Sequence, residues 1–254
     1  MRVEPVAVGG FLHCIKRGGR GLPIVRDDHD RWRFLRSLYY LNDVFLDENW
    51  SRVAFNKQIY SSPTAVYGSR TAVDEEKLFF RPQEWPKQKP ITAVLGFTLL
   101  ENHLHLLLME IKEGGIAAFM QKFGQSMTNH FNEKYQTKGS IFQGGYKGKR
   151  ISEDRHLMWV MPYVMVKNTF EMHPKGYKWA VEHFEEAWQW AIQYPFSSLG
   201  DYGGSRNSPI VDTKSFKDIV GGPKEFKRLC KDMIEGREGI KAEILDEIAD
   251  LSFE

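Results

Sequence analysis

The chain has 254 residues, 42% of them hydrophobic and 13% aromatic, enough for one large core with additions. No stretch approaches the ~20 consecutive apolar residues of a membrane span. Met1-Arg2-Val3-Glu4-Pro5 lacks the basic-then-apolar pattern of a secretory leader, so a cytoplasmic protein away from the membrane is expected. Cys14 and Cys230 stand far apart and form no CxxC pair, which excludes a zinc knuckle or a disulfide scaffold. Net charge is only +2, but it is unevenly placed. Lys16 to Gly21 is purely basic, Thr137 to Arg150 carries Lys138, Lys147, Lys149 and Arg150 without an acid, and Glu238 to Glu254 is acidic.

In chain order, Phe11 to Lys16 reads as a first strand, entering a glycine-rich loop over 17–21. Its glycines would let backbone amides approach a phosphate, with Lys16, Arg17 and Arg20 supplying charge; an ordinary solvated turn is the alternative. Asp27 or Asp28 caps a helix predicted to run to about Phe45, with Phe34, Leu38, Leu41 and Phe45 at helical spacing. Residues 47–90 combine many aromatics with Pro63, Pro82, Pro86 and Pro90, and read as an insertion or clamp. Ile91 to Leu100 and His103 to Glu110 form a hairpin across Glu101-Asn102, followed by a helix from about Ile116 to Tyr135.

Within the second arm of the hairpin, His103 and His105 alternate with leucines, so both imidazoles share one face of a strand. Two neutral imidazoles side by side are half of a divalent-metal site; strand histidines bonded to backbone or carboxylates are the other reading. The segment Lys138 to Arg150 interleaves Phe142, Gln143 and Tyr146 with Lys147, Lys149 and glycines, a pattern suited to holding phosphates and stacking bases. A helix starting at Ser152 or Glu153 meets Pro162, where it kinks or restarts, and Tyr163 follows directly. Helical stretches near 214–220 and 223–235 precede the acidic tail.

Together these segments resemble the single-tyrosine HUH transposases, specifically the REP-associated tyrosine transposase group. Leu100-Glu101-Asn102-His103-Leu104-His105-Leu106-Leu107-Leu108 is similar to the family's "PNHVHLLL" core. Arg17-Gly18-Gly19-Arg20 resembles "NRGNR", and Ile24-Val25-Arg26-Asp27-Asp28 resembles "PIFRDDED". Phe119 to Asn132, with Ile141-Phe142-Gln143-Gly144-Gly145-Tyr146-Lys147, resembles the helix and "LFQGRYK" loop. Tyr163 to Asn168 sits where the family has "YIHLNP", and Tyr194 to Leu199 resembles "YPWSSY". The matches run in order over about residues 11–202, leaving out 47–90.

The resemblance implies an α/β (α+β) ferredoxin-like fold, an antiparallel sheet with helices on one face. It places a catalytic domain over about 8–175, with the insertion inside it, and a mostly helical extension over 176–254. It implies metal-dependent nicking and rejoining of single-stranded DNA beside hairpins, by a monomer or homodimer. Tyr163 would be the nucleophile, giving a 5′-phosphotyrosine and a 3′-hydroxyl, with His103 and His105 holding Mg²⁺ or Mn²⁺. Lys16, Arg17, Arg20, Lys138, Phe142, Gln143, Tyr146, Lys147, Lys149 and Arg150 would contact DNA. The sequence departs from the pattern where a third ligand falls four residues after the tyrosine: that position is Lys167, which has no lone pair to give a cation. Either water, Glu171 or Asn168 completes the site, or Lys167 itself contacts the phosphate, or cleavage has given way to hairpin binding. Asn168 could serve only on an irregular helix, being about 100° round a regular one. A histidine-based nucleotide hydrolase would need a third histidine where Leu107 stands.

Overall fold

In the computed structural model, residues 6–54, 79–152 and 154–236 are described. Four strands, β1 (Phe11–Arg17), β2 (Ala93–Leu99), β3 (His103–Met109) and β4 (Lys147–Ile151), form one sheet in the order β2-β3-β1-β4. Every neighbouring pair is antiparallel, as expected for the ferredoxin-like arrangement. The helices are α1 (Asp28–Tyr40), α2 (Trp50–Ala54), α3 (Gly115–Tyr135), α4 (Asp154–Pro162), α5 (Asn168–Glu171), α6 (Gly176–Glu182), α7 (Phe184–Ala191), α8 (Leu199–Tyr202), α9 (Lys217–Val220) and α10 (Pro223–Ile234). None of the helices among the described residues is long and apolar enough to cross a membrane.

Alternation along the strands divides the side chains between two cores. Leu12, Cys14, Leu104, Leu106 and Leu108 face α1 and α3, meeting Phe34, Leu38, Phe119 and Phe123. Leu107, Ala93 and Leu95 face the opposite side, where α4 and the chain beyond it supply Met161, Val164, Phe184, Trp188 and Phe226. Helices therefore cover the second face as well. The C-terminal extension shares its core with the sheet and seals the far side.

Helix α1 begins where Asp27 Oδ1 accepts the amide of Asp30 at 3.0 Å. It stops at Tyr40, short of the expected Phe45, because the next residues are committed elsewhere. Asn42 Oδ1 accepts the amides of Ile91 and Thr92, both at 3.1 Å, while Asp43 Oδ1 accepts those of Phe45 and Lys89. These bonds clamp the insertion's return onto the end of α1; aromatics read at 55–78 lie outside the described residues.

One polar knot joins α1 to α3. Buried Asp30 accepts from the Arg26 amide, His130 Nε2, Lys134 Nζ and Tyr135 hydroxyl at 2.8, 3.0, 2.7 and 2.7 Å. Burial raises its carboxyl pKa, but these donors outweigh it and hold the group far below the usual range. Replacing Asp30 with Ala strands those donors and is expected to cost about 3 kcal/mol in urea unfolding; a loss below about 1 kcal/mol would refute a structural role for the knot.

Candidate active site

Because β3 is paired on both sides, its histidines are fixed in register. His105 lies between Thr98 on β2 and Ile15 on β1, and His103 opposite Arg17. Both project to the face shared with Tyr163, with ring centroids 5.0 Å apart and planes at 71°. Asn102 Nδ2 donates to Gly21 O at 3.3 Å, which turns its Oδ1 toward His103. His103 Nδ1 meets that oxygen at 2.7 Å and must donate, so its Nε2 carries the lone pair. His105 is fully buried; its Nδ1 is bonded to His13 Nε2 at 3.0 Å, while its own Nε2 has no partner. The two rings thus keep their outer nitrogens in hand.

Tyr163 reaches the same face through a break in the helix. Pro162 ends α4 without an amide hydrogen to give, and Tyr163–Lys167 forms a π-helical turn in which the Asn168 amide bonds Tyr163 O. The wider turn is stitched to the sheet and its flank. Thr98 Oγ1 donates to Val164 O at 2.6 Å, and Met165 O accepts from Thr169 Oγ1 at 2.5 Å and Ser197 Oγ at 3.3 Å. The Tyr163 ring stands edge-on to His105 and His13, with centroids 5.9 and 6.3 Å away. Lys167 Nζ lies 5.2 Å from the Tyr163 ring centre and 2.5 Å from Glu171 Oε1. The helix is thus irregular over Tyr163–Lys167, directly before Asn168. Asn168 is 1% exposed and its Nδ2 is unpartnered.

The electrostatics keep the imidazoles neutral. Burial, then Arg17 and Lys167, push His103 down to about 4; burial and then the neighbouring His156 push His13 to about 3. Burial, with His13, His103 and Lys167, holds His105 well below its ordinary value. Burial pulls Lys167 down, but its bond to Glu171 and the proximity of Tyr163 leave it above the usual lysine value, so it stays charged. Arg17 and Lys167 are thus both close enough to act on His103, an arrangement suited to an anion.

The residues expected to contact nucleic acid divide. Arg20, Lys138, Gln143 and Arg150 are exposed. The amide of Gln143 donates to Arg17 O at 2.9 Å and that of Gly19 to Ile141 O at 2.8 Å, bringing the two basic loops together beside the hairpin turn. A side chain at Gly18 would run into Leu22 O, 1.9 Å from the added carbon, which explains a glycine there. Lys147 and Lys149 alternate with Ile151 on the His13 face, Lys149 directly opposite His13, whereas Arg150 turns to the other face opposite Leu12.

Three expectations are corrected. Lys16 is only 8% exposed: its Nζ donates to Gly144 O at 3.0 Å and sits 4.4 Å from the centre of the Phe142 ring. Phe142, at 4% exposure, belongs to the core and offers no stacking surface. Tyr146 packs against that same core, and burial, with Cys14 and Glu110, pushes its hydroxyl up to about 12. Each is held by the far face of the sheet, which composition alone does not reveal. His13 is a site residue the sequence reading passed over; its only sequence signal is its place in β1, two residues from Phe11 and Ile15. A second constellation, His29, Asp30 and His130, has ligand atoms within 4.8 Å of one another. Asp30 is already saturated by four donors there, one an ammonium, so the group reads as the α1–α3 knot.

No family model and no curated protein matches the chain. Among solved structures, that of a REP-associated tyrosine transposase bound to a REP hairpin matches 84% of this chain and 92% of its own, at 11% identity and a TM-score of 0.42.

The buried histidines predict how stability responds to pH. Unfolded, each titrates near 6.5; folded, His103 and His13 do so near 4 and 3. Above pH 6.5 the site is neutral in both states and adds no pH dependence. Below it the unfolded chain takes up protons the folded chain refuses, so stability falls by up to about 1.4 kcal/mol per pH unit for each histidine. Urea midpoints measured from pH 7.5 to 4.5 should fall steadily below 6.5, and less steeply in His13→Gln. A midpoint constant down to pH 5 would contradict neutral burial.

Proposed function

We propose that this chain is a tyrosine-dependent enzyme that nicks and rejoins single-stranded DNA at hairpin-flanked sites, a transposase-like strand transferase. The observation that carries the reading is the placement of Tyr163 edge-on to His105, on the face where His103 and His105 hold their outer nitrogens unbonded. The ordered motifs shared with the single-tyrosine HUH transposases support it independently of any overlay.

The donor chemistry suits a divalent ion: two neutral imidazoles, each with its Nδ1 bonded, present Nε2 lone pairs on one face. His103 and His105 would hold the ion, and Asn168 is the oxygen donor we favour beside them, because the π turn rotates the helix past Lys167. When bound, Mg²⁺ or Mn²⁺ supplies positive charge to the nonbridging oxygens of the scissile phosphate; imidazole donors favour Mn²⁺.

Tyr163 Oη forms a bond to phosphorus as the bond from phosphorus to the 3′-oxygen breaks, giving a 5′-phosphotyrosine and a 3′-hydroxyl. The attacking phenol releases its proton as the 3′-oxygen acquires one. Lys167, charged and beside the Tyr163 ring, stabilises the anionic phosphate and the developing phenolate. Rejoining runs the same displacement backwards, the 3′-hydroxyl attacking the tyrosyl phosphate, so no nucleotide is consumed. Arg17, Arg20 and Gln143 line the strand's path at the joined loops.

The test uses labelled single-stranded hairpin oligonucleotides taken from DNA flanking the gene, with Mn²⁺ or Mg²⁺, read as a covalent adduct on a denaturing gel. The adduct should form more readily with Mn²⁺, vanish with chelator, and vanish in Tyr163→Phe, which should retain hairpin binding. Lys167→Ala should slow adduct formation about 10²–10³-fold while tightening Mn²⁺ binding, since the ammonium repels the ion. Lys167, paired with Glu171 where a ligand is expected, favours one other reading, a hairpin-binding protein without cleavage. Tight hairpin binding with no adduct from wild type or Lys167→Asn would establish it and exclude the enzyme.

A further inference from the structure

Metal-binding histidines need more than a place on a strand. A neutral imidazole offers its lone pair from one nitrogen only, and the proton on the other decides which. His103 has this settled by Asn102, the adjacent residue in the hairpin turn. His105 has no such neighbour: Leu104 and Leu106 point into the opposite core. Its Nδ1 is served from the next strand, by a residue 92 positions away.

We propose that His13 is a positioning residue: its Nε2 accepts the Nδ1–H of His105, fixes the tautomer, and leaves His105 Nε2 bare toward the site. The proposal rests on the reading of His103 and His105 as the residues that hold the ion. Three observations carry it. His13 Nε2 and His105 Nδ1 are 3.0 Å apart, within hydrogen-bond distance, in a fully buried setting. The two rings are nearly parallel, at 20° with centroids 5.2 Å apart, so the 3.0 Å contact joins them edge to edge, the geometry of an in-plane N–H···N bond. His105 Nε2 is buried with no protein partner.

The opposite proton arrangement is disfavoured by the same geometry. Were His13 the donor, His105 would carry its proton on Nε2, and that N–H would be buried with nothing to accept it. With His105 as donor, the unpartnered atom is a lone pair, which a cation satisfies. His13 can reach its partner because it faces Leu107 across the ladder, one diagonal step from His105 on the same face. The Tyr163 ring stands edge-on to both imidazoles, so His13 also forms part of the wall against which the nucleophile rests.

Long-range ¹H–¹⁵N correlation spectra of the full metal-free chain at neutral pH read the tautomer directly. The expected His105 pattern is a protonated Nδ1 and a bare Nε2; a protonated Nε2 overturns the proposal without any variant. Mn²⁺ titration supplies the second readout. His13→Leu should weaken Mn²⁺ binding about 10–100-fold, whereas His13→Gln, whose Oε1 can replace the lost acceptor, should bind close to wild type. Equal weakening in both folded variants would make His13 a packing residue and refute the assignment. If the tautomer and the Leu–Gln difference hold while wild type forms no DNA adduct, strand cleavage is excluded and the role of His13 stands.

Discussion

Strand β3 is hydrogen-bonded along both edges, and the site depends on that double constraint. Its leucines at 104, 106 and 108 are wanted by the core beneath α1 and α3, which leaves 103 and 105 no choice of face. A slip of one residue would turn both imidazoles toward the phenylalanines of α1 and α3 and bring three leucines to the face of Tyr163, so the hydrophobic pattern itself holds the histidines in place. The hairpin turn adds to this. Leu100 N donates to His103 O at 2.9 Å, and Asn102 O accepts from Gly18 at 2.7 Å, tying the turn to the basic loop. The same few residues therefore set both the histidine pair and the position of Arg17 beside it.

The π turn is the second determinant. An α-helix free of proline would satisfy each carbonyl from within; Pro162 has no amide hydrogen to give, and the wider turn after it draws donors from elsewhere. Thr98 and Ser197, drawn from β2 and from the loop after α7, provide them, and both side chains are fully buried. Thr98 is also the registered neighbour of His105, so the bond that holds the turn starts beside that ring. Tyr163 and the histidines are thereby referenced to the same strand pair. The C-terminal extension belongs to this arrangement: Ser198 Oγ accepts the Phe97 amide at 2.9 Å, and Tyr202 donates to Leu95 O at 2.7 Å.

Much of this was legible in the sequence, for identifiable reasons. The strand pair and α3 announce themselves through period-two and helical spacing, and His103, His105 and Tyr163 lie in local motifs. What local patterns do not carry is which face a loop residue takes after the chain folds back. Lys16 and Phe142 read as a cation and an aromatic in basic loops, yet they meet each other across 126 residues and close the core. Tyr146 went the same way. His13 was invisible for the converse reason: a lone histidine among Phe11, Leu12, Cys14 and Ile15 reads as a strand residue until its partner on β3 is known. The Lys167 problem was half legible. Spacing showed that a regular helix would not serve, but the extra residue in the turn arises from Pro162 and the polar side chains that receive it.

Polar satisfaction gives an independent view of where the fold serves something other than stability. Most buried polar side chains here are well matched: Asn42 makes three bonds to the backbone, and Asp30 accepts four. Among the several buried side-chain atoms without a hydrogen bond, which include Ser37 Oγ on α1, two nitrogens, His105 Nε2 and Asn168 Nδ2, belong to the β3 histidine pair and to the first residue beyond the π turn. A buried polar atom without a partner is destabilising, and a core shaped by stability alone would replace it with carbon. The His105 ring is anchored by His13, and the Asn168 backbone by a bond that requires the π turn. Anchoring a ring while leaving its outer nitrogen unbonded has a physical rationale when a ligand supplies the missing contact. The chain carries the cost of two buried neutral histidines, a half-buried third and a broken helix at one place on the sheet, and Tyr163 stands there too.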